Sequence, residues 1–239
     1  MIDAKKSLSQ NFLIDKNISN KIVNQVNVRN KNILEIGPGY GFLTDNILKK
    51  NPKKIFLIEK DFKLKKFLTD KYKDNPKINI VGEDILLFEL NNFKNLIIIS
   101  NLPYNISTKV ILYLFNFHDN ISEMVFMIQK EVSHKFDYNL PKMNKYKFLT
   151  RVVTTFNRCF DVSSRVFIPK PKVTSTVVKF NFNRKNIDLV KAYYFSNLIF
   201  RNVRKKISNN LKKEINMKYI NKRVNELNID ELLTIYNLF

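Results

Sequence analysis

The run Leu96-Ile97-Ile98-Ile99-Ser100 constrains this chain more than any other stretch. Four bulky apolar residues in succession leave no polar face, so it reads as a parallel strand buried on both sides. Pro103 cannot donate to a sheet ladder, so the strand must end before it. Asn105-Ile106-Ser107-Thr108 then offers capping groups to a helix carrying Val110, Ile111, Leu114 and Phe115. An amide, a proline and an aromatic ring therefore stand at the carboxyl end of a strand, where open α/β sheets bind ligands.

Other short apolar runs repeat the arrangement. Residues 31–36 read as a first strand running into Gly37-Pro38-Gly39-Tyr40-Gly41, followed by a helix with Phe42, Leu43, Ile47 and Leu48. Of only four glycines in the chain, three fall within these five residues. Glycine there allows a tight turn and close approach to a ligand. The spacing G-x-G-x-G departs from the G-x-G-x-x-G of dinucleotide binders, which argues against a pyrophosphate and a nicotinamide oxidoreductase. It suits the small zwitterionic end of S-adenosylmethionine, and also a plain strand-to-helix turn. Residues 54–58 read as a second strand ending at Glu59, a carboxylate placed to accept from ribose hydroxyls. Residues 78–81 read as a third strand, with Asp84 beyond it able to accept from an adenine amine. With Asn101, these ends of consecutive strands share one rim.

Asn101-Leu102-Pro103-Tyr104 suits a particular chemistry. The exocyclic amine of adenine is a poor nucleophile because its lone pair is delocalised into the ring. The Asn101 side-chain oxygen and the Leu102 carbonyl form an acceptor pair that can hold both N–H bonds and turn the lone pair toward an electrophile. Tyr104 can stack on an unstacked base, for about 1–3 kcal/mol. A strand stop with a surface tyrosine is the other reading of the same residues.

Residues 124–128 read as a fifth strand, and 129–132 open a helix. Residues 137–147, polar and interrupted by Pro141, read as a loop over the active rim; residues 148–156 favour helix. Residues 158–166 and 174–182 read as an antiparallel pair joined by Phe167-Ile168-Pro169-Lys170-Pro171-Lys172-Val173. The prolines stiffen that connection, its lysines suit an anion, and Phe167 is placed to close on the face of a base opposite Tyr104.

Beyond residue 183 the strand signal ends and helical periodicity takes over, through residues 201–213 and again around Val224 and Leu232. Residues 184–239 hold 12 Lys+Arg against 5 Asp+Glu, a net of +7. Arg201, Arg204, Lys205, Lys206, Lys212 and Lys213 cluster there and read as phosphate-gripping. The expected domains are residues 1–183 and a small helical domain at 184–239. The whole chain, 42 Lys+Arg against 21 Asp+Glu, favours a polyanionic partner, although a lysine-rich composition accounts for part of the excess. No apolar run of about 18 residues occurs, so no membrane partner is expected. The single Cys159 excludes an intrachain disulfide and fits a reducing, cytoplasmic setting. With only His118 and His134, no metal site is expected.

Taken together, these motifs resemble the ribosomal RNA adenine N6-dimethyltransferases of the KsgA type. The resemblance rests on Ser9-Gln10-Asn11-Phe12-Leu13, residues 35–39, residues 101–107, residues 129–132, the segment 167–173 and residues 200–206. It implies a class I S-adenosylmethionine-dependent methyltransferase fold, Rossmann-like with a seven-stranded sheet, and a small all-helical C-terminal domain. It implies cofactor contacts at Asn11, Leu13, Gly37, Glu59, Asp84 and Asn101, and a monomer acting on small-subunit ribosomal RNA in the small ribosomal subunit. The substrate implied is two adjacent adenosines in a hairpin loop near the 3′ end of that RNA. Ser9 stands where the type usually has Gly, and the macrolide-resistance methylases of large-subunit RNA often have Ser there. They, and a non-catalytic nucleic-acid-binding relative, are the alternatives.

Overall fold

The computed structural model describes residues 10–182, 186–211, 219 and 221–239. Ser9, Lys212 and Lys213, singled out above, lie outside the described residues. The chain divides into two compact units, residues 1–133 with 157–182 and residues 134–156 with 183–239.

The first unit is built on a seven-stranded sheet. Its strands are β2 (Asn32–Ile36), β3 (Lys54–Ile58), β4 (Ile78–Val81), β5 (Leu96–Asn101), β6 (Ile121–Gln129), β7 (Thr155–Val162) and β9 (Ser175–Asn181). Their order is β4-β3-β2-β5-β6-β9-β7. Pairs from β4 through β6 are parallel, and β9 runs antiparallel to β6. The chain winds outward from β2 in one direction through β3 and β4, then returns to β2's other side with β5. That reversal opens a crevice between the carboxyl ends of β2 and β5. Residues 33–34 and 96–99 are buried on both faces, as an uninterrupted apolar run requires. Each such Leu or Ile contributes about 1.5–3 kcal/mol of burial.

Helices α1 (Lys16–Val23), α2 (Phe42–Leu48), α3 (Phe62–Tyr72) and α4 (Ser107–Phe115) connect these strands, and α5 (Lys130–Phe136) follows β6. Asp15 caps α1 and Asp61 caps α3, each carboxylate accepting from two backbone amides of the first turn. The expected cap of α4 takes another form. Ser107 lies inside the first turn and its hydroxyl donates back to the Pro103 carbonyl at 2.8 Å. It thereby clamps the turn containing Tyr104 instead of capping the helix.

A two-residue strand, β1 (Phe12–Leu13), pairs antiparallel with β8 (Phe167–Ile168), Leu13 opposite Phe167. This ribbon ties the N-terminal arm to the Pro-Lys segment.

In the second unit, α6 (Lys145–Val153), α7 (Leu189–Ile199) and α9 (Ile229–Leu238) pack around aromatic rings, and α8 (Ile207–Leu211) buries Ile207 and Leu211. Phe148 lies 5.1 Å from Phe195 and 5.4 Å from Tyr236, and Phe195 lies 5.4 Å from Tyr236. Residues 134–156 thus join those after 182 in the helical unit, which the expected division at 183 did not provide for. Residues 137–147, read as a loop over the rim, and the helix after them group with the helical unit because Phe148 belongs to its core. Lys147 fixes that loop internally, its buried amine donating to the Leu140 and Pro141 carbonyls at 2.7 Å each. Burial pushes its pKa down. Among the described residues no helix is long and apolar enough to cross a membrane.

Candidate active site

The crevice between β2 and β5 holds a cavity of about 290 Å³, a size for a small molecule. Asn11, Gly37, Glu59, Asp84, Asn101, Leu102, Pro103 and Tyr104 all line it, so most of the expected site residues meet in one place. Gly37 and Gly39 have φ of +60° and +59°, a left-handed conformation that side chains disfavour. Gly39 also faces the Phe12 ring, 2.7 Å from where a Cβ would lie. The glycine loop is thus pressed against the arm, with Tyr40 edge-on to Phe12 at 4.9 Å.

Two carboxylates are held in different ways. Glu59, at the end of β3, is buried and accepts from the Gly39 amide at 3.2 Å and the Asp61 amide at 2.9 Å. Burial raises its pKa and those amides oppose the rise. Asp84 accepts from Lys60 Nζ at 2.8 Å and from the Leu86 amide at 3.0 Å. The Lys60 hydrogen bond holds its carboxyl below the usual range. Beneath the loop, Glu35 is buried and accepts from the Thr44 hydroxyl at 2.6 Å. Desolvation pushes its pKa up to about 8, against the pull of Thr44.

Asn101 carries the most specific geometry. Its Nδ2 donates to the Asn11 carbonyl at 2.8 Å. A carbonyl can only accept, so the amide orientation is chemically fixed. Oδ1 is therefore directed away from Asn11, and it is buried with no partner among the described residues. A buried acceptor left without a donor costs about 1–3 kcal/mol, which a ligand N–H at that point would relieve.

A second cleft, of about 510 Å³, shares Gln10, Asn11, Tyr104 and Asn105 with the first. Gln129 and residues 169–173 complete its lining, including Lys170 and Lys172. The Tyr104 hydroxyl and the Ser175 hydroxyl share a hydrogen bond of 2.7 Å. Burial raises the Tyr104 pKa, with the Ser175 bond acting the other way.

Two expectations are corrected. Phe167 does not close over either cleft. The β1–β8 register turns it inward opposite Leu13, and it is buried in the core with Ile22, Ile33 and Val177. Leu13 is likewise a core residue, so any contact it offers a cofactor comes from its backbone. Arg201, Arg204, Lys205 and Lys206 are all exposed in the helical unit, but not on one long helix. They span a 3-10 turn (Phe200–Asn202), a bend and the entry to α8. Sequence reading missed Gln10, Phe12, Lys60, Glu83 and Ser175. Gln10 and Phe12 sit inside the arm motif already recognised. The Ser175 contact had no local signal, because it depends on the pairing of distant strands.

The model of the family described as ribosomal RNA adenine dimethylase matches residues 1–239. A Hydrogenobaculum protein, "Ribosomal RNA small subunit methyltransferase A", is 36% identical over 240 residues, covering 99% of this chain and 94% of its own. A Buchnera aphidicola protein of the same name is 38% identical over 248 residues, covering 98% and 92%. The crystal structure of the 23S rRNA methyltransferase ErmE superposes with a TM-score of 0.80 at 20% identity, over 95% of this chain and 98% of its own. That last likeness establishes the class I methyltransferase fold.

Proposed function

Because this chain belongs to the ribosomal RNA adenine dimethylase family, we propose that it dimethylates N6 of two adjacent adenosines near the 3′ end of small-subunit ribosomal RNA. The named relatives support the small subunit as substrate. The buried Asn101 Oδ1, which has no partner among the described residues, is the observation that supports the chemistry. The methyl donor is S-adenosylmethionine, which supplies an electrophilic methyl group when bound. The cavity lining fits it: Gly37 and Gly39 leave the backbone open to close approach, Glu59 suits ribose hydroxyls, and Asp84 suits an adenine amine. Asn11 supplies a further contact from the arm.

The adenosine enters through the second cleft, unstacked from its loop at a cost of a few kcal/mol. Tyr104 takes one face of the base. Asn101 Oδ1 and the Leu102 carbonyl accept its two N–H bonds, so the nitrogen lone pair points toward the first cleft. Positioning supplies most of the effect, and no strong base is needed. Lys170, Lys172 and the exposed Arg201, Arg204, Lys205 and Lys206 face phosphates. The enzyme acts in the cytoplasm as a monomer.

The test is transfer of label from S-adenosylmethionine to undermethylated small and large ribosomal subunits, followed by mapping of the methylated positions. Label at two neighbouring small-subunit adenosines is expected. Label on large-subunit RNA alone would overturn the substrate assignment, and RNA binding without transfer would overturn the activity.

A further inference from the structure

Tyr104 stands on a turn immediately after β5, where nothing in the strand ladder fixes its ring. Its hydroxyl reaches Ser175, 71 residues further along the chain. Ser175 is fully buried and opens β9, paired in register with Gln129 at the end of β6. Next to it, the Thr174 carbonyl accepts from the Lys130 amide at 3.0 Å, which anchors the strand's first residues. The Pro-Lys segment 169–173 runs straight into this anchor, and it lines the same cleft as Tyr104. One hydrogen bond therefore joins the aromatic wall of the cleft to the root of its Pro-Lys wall. A phenylalanine would stack on a base equally well; the phenol oxygen serves the tether.

We propose that Ser175 is a positioning residue for RNA. Its hydroxyl fixes the plane of Tyr104 and the gap between Tyr104 and residues 169–173, and so sets how well an unstacked base is held. The proposal rests on the function given above. Ser175 lines neither cleft; it acts through Tyr104, whose role above is to stack on the base, so its effect is expected on RNA and not on the methyl donor.

Kinetics on small-subunit RNA test it. Losing one hydrogen bond predicts that Ser175→Ala raises KM for RNA about fivefold to tenfold. Little change in kcat and an unchanged affinity for S-adenosylhomocysteine should accompany it. Ser175→Thr, which keeps the hydroxyl, should recover most of the loss. Tyr104→Phe should match Ser175→Ala, and the double variant should be no worse than either alone. An RNA with 2-aminopurine at the mapped adenosine should show weaker stacking quench with both single variants. If Ser175→Ala unfolds the protein, Tyr104→Phe alone decides, because it leaves the sheet intact. An unchanged KM in Tyr104→Phe, or losses that multiply in the double variant, would overturn the proposal. Asn101→Ala separates the two levels: if it keeps full transfer, the functional reading itself has failed; if it is inactive while Ser175→Ala is normal, only the role of Ser175 has failed.

Discussion

The two clefts that share Tyr104 are made in different ways. The first is assembled from strand ends and backbone: glycines at positive φ, amides donating to Glu59, and a carbonyl steering Asn101. The second is assembled from side chains of segments distant in sequence, joined by single contacts such as that of Tyr104 with Ser175. Backbone geometry tolerates few substitutions because φ and hydrogen-bond direction are fixed by the fold. Side-chain contacts can be weakened one at a time. Under the proposed function, a small donor molecule would meet a rigid seat, and a large, variable polymer an adjustable one.

Four substitutions probe that contrast, in decreasing order of expected effect. Asn101→Ala removes an oriented acceptor, and the rate of methyl transfer should fall about 100-fold or more. RNA affinity in a filter-binding assay should stay near wild type. A large loss of RNA affinity would place Asn101 in the binding surface instead. Gly39→Ala brings a Cβ against Phe12 and strains a left-handed φ, at about 1–2 kcal/mol for the backbone alone. Calorimetric affinity for S-adenosylhomocysteine should drop about tenfold or more. Adding Phe12→Leu should restore part of it, since the clash is relieved while the φ strain remains; an unaffected single variant would show the seat to be soft.

Glu35→Gln addresses the support beneath the glycine loop. The Glu35 pKa is about 8 in the folded protein against an ordinary 4.5, so folding takes up a proton between those values. Its contribution to stability is full below about 4.5, declines as pH rises, and is lost above about 8. The wild type should lose about 1 kcal/mol per pH unit within that window, from this group. Urea unfolding at several pH values should show a flatter slope for Glu35→Gln. The smallest effect is expected from Lys60→Ala. Lys60 is exposed and Asp84 half-buried at the cavity edge, so stability should change by about 1 kcal/mol or less. Cofactor affinity should move by less than about fivefold. A larger shift would mean that Lys60, which lines the cavity, contacts the cofactor directly.

The same contrast explains what could be read from sequence. The parallel strands, the glycine turn, Glu59, Asp84 and Asn101 follow from local rules: apolar runs, glycine spacing and position after a strand. Phe167 did not follow. Its neighbours Pro169 and Lys170 line the cleft, and only the register with Leu13 decides that Phe167 points inward. Ser175 was hidden for the same reason. The helix expected over residues 148–156 was legible only in part, since α6 starts at Lys145, inside the expected loop, and Thr155 already opens β7. Its membership of the helical unit was not legible, because periodicity shows that a face is apolar and not what covers it. The basic run 201–206 had helical spacing, yet the chain turns there to bring Lys206 into a bridge with Arg223.

The contact between Gly39 and Phe12 has a consequence for how such a chain can vary. The bare edge of the glycine is filled by an aromatic ring donated from the arm, so the two positions are not free to change separately. A residue larger than glycine at 39 demands a smaller one at 12, and even then inherits an unfavourable backbone. Any library that randomises the loop while holding the arm constant should therefore return glycine at 39 almost without exception.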